Sequence, residues 1–196
     1  RYEKRRCHKL RKYFFGRRPP AENKGSSHVA LGVAVVTVCA WISIPVGDVP
    51  FTLQTLAVAA IGGILGWKKG LLTILIYILL GLIGVPVFAG FKSGVPALMG
   101  ATGGYIFGFA FAVVISGLAK LIPVKNKFAR IGVFILGLTI CYVFGTAWFI
   151  TVYGKNVGSI GVKSALMLCV VPYIVPDLVK LFIAAVLSVR LGIYLR

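Results

Sequence analysis

The chain has 196 residues, 59% of them hydrophobic and 24 of them glycine, with four acidic residues against 22 lysines and arginines. That composition leaves too little polar surface to coat a water-soluble globule and specifies a membrane protein. The net charge of +18 does not describe a nucleic-acid surface, because ten of the 22 bases precede Ser26 and most others fall in short gaps between apolar runs, as in cytoplasmic loops.

Residues 1–27 form a basic extension, broken by Tyr13-Phe14-Phe15 and by Arg17-Arg18-Pro19-Pro20. It reads as a positive-inside anchor that keeps the N-terminus in the cytoplasm. The sharper alternative is a segment held on anionic lipid, where each charge gains about 1 kcal/mol. A cleaved signal peptide is disfavoured, since the apolar run that follows exceeds a usual signal core and lacks a small-residue cleavage site.

From residue 28 to 196 the pattern predicts an all-α bundle of six transmembrane helices with both termini cytoplasmic. Val29 to Pro45 makes the first span, and two prolines, a glycine and Asp48 within 44–50 make an external turn. Phe51 to Gly66 is a short second span, ended by Trp67-Lys68-Lys69-Gly70 as an internal loop. Leu71 to Val85 is the third span. The Gly- and Pro-rich stretch 86–96 returns outside as a long loop. Gly103 to Leu121 is the fourth span, followed by the most basic internal loop, with Lys120, Lys125, Lys127 and Arg130. The fifth span runs from Ile131 to about Tyr153. A single helix from Lys163 to Arg196 would be too long and would carry Pro172 and Pro176 inside. The sixth span is therefore expected to begin near Pro172–Pro176, behind a short apolar helix, with Asp177 in its first turn, where the helix dipole favours a carboxylate.

This topology puts 18 of the 22 bases in internal segments and three, Lys92, Lys155 and Lys163, in external loops; the one left is Lys180. Glu3, Glu22 and Asp48 lie outside the spans, which leaves Asp177. One acid and one base thus share a helix face three residues apart, in a medium where charge is expensive and normally functional. The bland reading is a self-neutralising pair that locks helices, but such pairs are poor stabilisers. A proton path would want further carboxylates or histidines along it, and an aspartyl hydrolase needs a second carboxylate. A site for a small polar solute fits best. Phe51, Thr52, Gln54, Phe88, Tyr105 and Tyr173 lie at similar depth and would supply an apolar cavity with a few polar groups.

Cys7, Cys39, Cys141 and Cys169 form no CxxC pair, so neither a metal nor a disulfide framework is expected, and no cofactor is implied. Gly62-x-x-x-Gly66, Gly104-x-x-x-Gly108 and Ala30-x-x-x-Ala34 allow close helix approach in lipid. The two glycine pairs are assigned to contacts within the bundle, while Ala30 and Ala34 are equally suited to a partner membrane protein. Gly100-Ala101-Thr102-Gly103-Gly104 is no dinucleotide fingerprint, because no strand precedes it and a span follows.

Four stretches in this order carry a resemblance: Ile44-Pro45 with Pro50-Phe51-Thr52-Leu53-Gln54-Thr55-Leu56; Gly84-Val85-Pro86-Val87-Phe88-Ala89-Gly90; Thr102-Gly103-Gly104-Tyr105-Ile106-Phe107-Gly108-Phe109; and Pro172 with Pro176-Asp177-Leu178-Val179-Lys180. Over about residues 28 to 194 the chain resembles BioY, the biotin-specific S component of energy-coupling factor (ECF) transporters. The resemblance implies a non-enzymatic, multi-pass protein of the bacterial cell membrane. It would capture biotin from outside and work with a transmembrane coupling protein and two ATP-hydrolysing subunits. It also implies that Asp177 and Lys180 hold biotin, and it turns Ala30 and Ala34 toward the coupling protein. Residues 1–27 have no counterpart in it, and 91–96 are bulkier and more charged than the glycine-rich loop usual there. The alternatives are a self-sufficient biotin facilitator and an S component for another vitamin. Biotin's ureido ring, with two N–H donors and a carbonyl, matches one helical turn better than the whole molecule does. Asp177 is expected to accept from an ureido N–H and Lys180 to donate to its carbonyl, with the tail carboxylate toward the mouth.

Overall fold

A computed structural model of the chain describes residues 24–45, 49–123, 126–156, 158 and 160–192. The basic stretch before Lys24, residues 46–48 with Asp48, Lys125, and Arg196 lie outside the described residues. Eight α-helices are seen among them: α1 (Lys24–Trp41), α2 (Gln54–Leu65), α3 (Trp67–Leu82), α4 (Gly94–Met99), α5 (Gly103–Leu118), α6 (Lys127–Asn156), α7 (Val162–Cys169) and α8 (Val171–Gly192). Two-residue strands, β1 (Ser43–Ile44) and β2 (Phe51–Thr52), pair antiparallel with Ser43 opposite Thr52 and Ile44 opposite Phe51.

The bundle is built around α2. After Gln54 and Thr55 in its first turn its residues are small or apolar on every face, and Gln54 with Ala57 through Gly63 are buried, the pattern of a helix surrounded by others. It packs against α1, α3, α5 and α8. At about 18 Å it is shorter than a ~30 Å hydrocarbon layer. The space beyond its first turn is filled by the β1–β2 hairpin and by a cavity. Close approach rests on the glycines. A Cβ on Gly62 would lie 2.8 Å from the Val113 carbonyl oxygen, and one on Gly104 would lie 2.2 Å from the Trp148 Cβ. Both glycine motifs read from the sequence therefore serve contacts within the bundle.

Gly103–Leu121 and Phe128–Lys155 are long and apolar enough to cross a membrane, and α7 with α8, bent by 43° at their junction, makes a third such segment when taken together. The Gly25–Trp41 part of α1 and α2 are shorter apolar helices. By its helices and their apolar length the chain is an all-α membrane protein.

The structure corrects several expectations. Phe51 and Thr52 are strand rather than the start of the second span, because the chain must return from the hairpin first; the Leu53 N–H donates to the Cys39 carbonyl at 3.2 Å and fixes that return to the end of α1. Trp67–Gly70 is not a loop but the first turn of α3. Gly66, at φ +84°, makes the whole connection in one residue, a conformation open to glycine. The helix α6 runs 30 residues and begins before Ile131, so Arg130 is helical and 6% exposed rather than in a solvated loop. Its guanidinium donates to the Ser188 hydroxyl on α8 at 3.3 Å. Asp177 and Lys180 are therefore not the only buried charges; among the described residues Arg130 joins them. Finally, α8 starts at Val171, with Pro172 in its first turn and Pro176 inside it. Asp177 sits in the second turn, and its carboxylate is held by side chains rather than by a helix end.

Candidate functional site

Position 177 faces α2 and α6, and position 180, one turn on, faces the same way. Asp177 is 3% and Lys180 5% exposed. Their Nζ–Oδ1 distance is 2.6 Å. The pair is local to one helix, so by itself it locks nothing; its other partners do. The Lys180 ammonium donates to the Thr52 carbonyl at 2.6 Å and stands 3.8 Å from the centroid of the Phe51 ring, a cation–π contact strengthened by desolvation. Asp177 Oδ1 also accepts from the Thr55 hydroxyl at 3.0 Å, and Oδ2 accepts from the Tyr142 hydroxyl at 2.5 Å. Strand β2 and helices α2, α6 and α8 are thus joined through one ion pair.

That arrangement answers the cost of burying charge, since two opposite charges with further donors and acceptors are tolerable where one is not. It also leaves capacity. An ammonium has three donors, and the hydrogen bonds to Asp177 and Thr52 use two. Oδ2 has a lone pair beyond the one Tyr142 occupies. One ammonium N–H and one carboxylate lone pair, on residues in direct contact, are not taken up by these hydrogen bonds, and both residues line a cavity.

A cavity of about 90 Å³, open at its mouth, adjoins the pair. Its wall includes Asp177, Lys180, Thr52, Gln54, Phe88, Tyr105 and Tyr173; of the eight residues singled out from the sequence only Phe51 is not in the wall, lying instead against Lys180 and Tyr173. Their polar atoms are largely engaged by the protein. Gln54 donates to the Tyr77 hydroxyl at 2.6 Å, which donates to the Val87 carbonyl at 3.1 Å. The Tyr105 and Thr146 hydroxyls are 3.1 Å apart. The Tyr173 hydroxyl donates to the Val49 carbonyl, and its ring stacks on Phe51 with centroids 6.4 Å apart. Phe88 lies edge-on to Tyr77 at 5.4 Å and over Gly81, where a Cβ would come within 2.0 Å of its ring. These side chains offer rings and shape, and the Asp177–Lys180 pair offers the hydrogen bonds.

Sequence reasoning missed Thr55, Tyr142 and Tyr77. A signal existed for the tyrosines, because a phenol within an apolar span needs a partner there. Ala30 and Ala34 are apart from the cavity. They lie on the exposed side of α1 with Leu31, Val35 and Val38, while Val29, Val33 and Val36 are buried against the bundle.

The sequence matches the family model described as BioY over residues 18–195. The chain belongs to the BioY family. A relative in Pyrococcus horikoshii, named a probable biotin transporter, is 42% identical over 86% of this chain and 96% of its own length. One in Thermotoga maritima, named a biotin transporter, is 42% identical over 81% of this chain and 89% of its own. Among solved structures, the S-component for biotin from an ECF-type ABC transporter superposes with a TM-score of 0.77 at 27% identity, covering 88% of this chain and 96% of that one. Such kinship is with transporters, and it gives the S-component fold to this BioY chain.

Proposed function

We propose that this protein captures biotin from outside the cell as the substrate-binding S component of an ECF-type transporter. The observation that carries the reading is the buried Asp177–Lys180 pair, presenting one donor and one acceptor to an apolar, aromatic-walled cavity. An ureido group has the complementary set: a carbonyl that takes the Lys180 N–H and an N–H that reaches Asp177 Oδ2. Both contacts are charge-assisted, hence stronger than neutral ones. The names of the relatives and of the structural match support biotin as the ligand.

In this reading residues 28–196 cross the cell membrane six times with both termini in the cytoplasm, and residues 1–27 are a cytoplasmic extension. The exposed side of α1 with Ala30 and Ala34 meets a transmembrane coupling protein, because small residues let backbones approach in lipid. Two ATPase subunits supply energy, and this subunit binds and releases its ligand unchanged.

Equilibrium binding of a vitamin panel to the purified protein tests the assignment. Biotin is expected to bind far more tightly than any other member; tighter binding of another vitamin would refute it. Liposomes holding this protein alone are expected not to accumulate biotin, and rapid ATP-independent accumulation would point instead to a self-sufficient facilitator.

A further inference from the structure

The ligand cavity does not end at its aromatic wall. Lys92, Ala97 and Thr102 line both it and a second hollow, to which Ser93, Pro96 and Gly100 also contribute. The second hollow is polar as well as apolar: Ser93 and Thr102 precede α4 and α5, and neither hydroxyl caps its helix. The two adjoin through these shared residues; the buried Asp177–Lys180 pair lines only the first, and the exposed Lys92 lines both.

The backbone around Lys92 is specifically shaped. Gly90 and Phe91 have φ of +67° and +57°, and Phe91 is the one non-glycine with positive φ among the described residues. For a bulky side chain that conformation is strained, and such strain collects at ligand clamps. Two contacts hold it. The Phe88 N–H donates to the Lys92 carbonyl at 3.1 Å, and the Phe91 ring stacks on Trp41 of α1 at 5.2 Å, while the Trp41 indole donates to the Pro86 carbonyl at 2.8 Å. The reversal sends Phe91 outward onto α1 and leaves Lys92 on the rim of the cavity.

Charge balance then assigns a role. The inner pair is neutral as a unit, so a ligand that carries a carboxylate adds an uncompensated negative charge. Of the two lysines on the cavity wall, Lys180 is committed to Asp177 and the Thr52 carbonyl; Lys92 is exposed and lines both hollows. We propose that Lys92, with the second hollow around it, is an outer subsite for the anionic tail of the ligand and sets the preference for a free acid over its uncharged derivatives. The assignment rests on the reading of the inner cavity as a biotin site, and it makes the two lysines divide the ligand between them. An exposed lysine is a mobile, hydrated point charge, so its effect is salt-sensitive and of the order of tenfold in affinity.

The test is equilibrium binding of biotin and of its tail amide to the full chain in lipid nanodiscs, for the wild type, Lys92→Gln and Lys92→Arg. The wild type is expected to prefer the acid roughly tenfold, with the preference shrinking as salt rises. Lys92→Gln is expected to bind the acid as weakly as the amide, and Lys92→Arg to keep the preference. A Lys92→Gln protein that retains the preference, or weakens acid and amide alike, would overturn the assignment while leaving the inner site standing. A wild type that binds neither ligand would overturn the functional reading and the assignment with it.

Discussion

The two ends of the α2–α8 contact are built from similar parts and do different things. At one end Asp177 and Lys180 meet Thr52 and Thr55 and face a cavity. At the other, Ser188 meets Arg130, and Gly63 lies so close that a Cβ would sit 2.7 Å from the Ser188 Cβ and 2.8 Å from the Phe134 ring. Both ends bury polar or charged groups on the same helix. Burial of charge in a membrane protein is thus an ambiguous signal of function by itself, and the adjoining empty space resolves it. A buried polar cluster packed against Phe134 and glycine is suited to stabilise; one with an unused donor and acceptor beside a cavity is suited to recognise, as proposed above.

Substitutions at the two ends should separate accordingly. The largest effect is expected from Asp177→Ala. It removes the proposed ureido acceptor and leaves Lys180 as a buried, uncompensated charge, so biotin affinity should fall by at least about a thousandfold, roughly 4 kcal/mol. Titration calorimetry checks this; a loss under tenfold would place recognition elsewhere. Next comes Gly63→Val, whose added methyls have no room beside Phe134 and Ser188. Overpacking of this kind costs about 1–3 kcal/mol, read as a lowered thermal midpoint of the unliganded protein, while the folded fraction should bind biotin within about twofold of wild type. A loss of affinity without loss of stability would erase the distinction between the ends. The smallest is Ser188→Ala, which removes an acceptor for the Arg130 guanidinium and should cost about 1 kcal/mol of stability with biotin affinity unchanged.

The functional end was more legible in the sequence than the structural one. Asp177 and Lys180 stand out because charge is rare in apolar runs, and a spacing of three fixes their common face whatever the helix start. The helix start near Pro172 was legible too, but Asp177 falls in the second turn rather than the first. Pro172 and Pro176 compete for the first turn, and the choice depends on where α7 bends into α8. Thr55 and Tyr142 were not legible as partners because they lie 122 and 35 residues from Asp177, and their hydroxyls acquire meaning only when three helices meet. The burial of Arg130 was hidden for a similar reason. A base beside Lys125 and Lys127 reads as a loop, and only the early start of α6 carries it under α8. Gly66 shows the limit of turn signals: Trp67-Lys68-Lys69-Gly70 looks like a connection, yet one glycine with positive φ makes the connection and releases those four residues to the next helix.

The central claim is that the Asp177–Lys180 pair holds the ureido ring of biotin rather than its carboxylate. Lys180→Ala, measured by equilibrium binding with biotin and with its tail amide, tests this most directly. The geometry predicts that both ligands weaken by a similar factor, on the order of a hundredfold, because both keep the ureido carbonyl. A Lys180→Ala protein that loses affinity for the acid and keeps it for the amide would contradict the account.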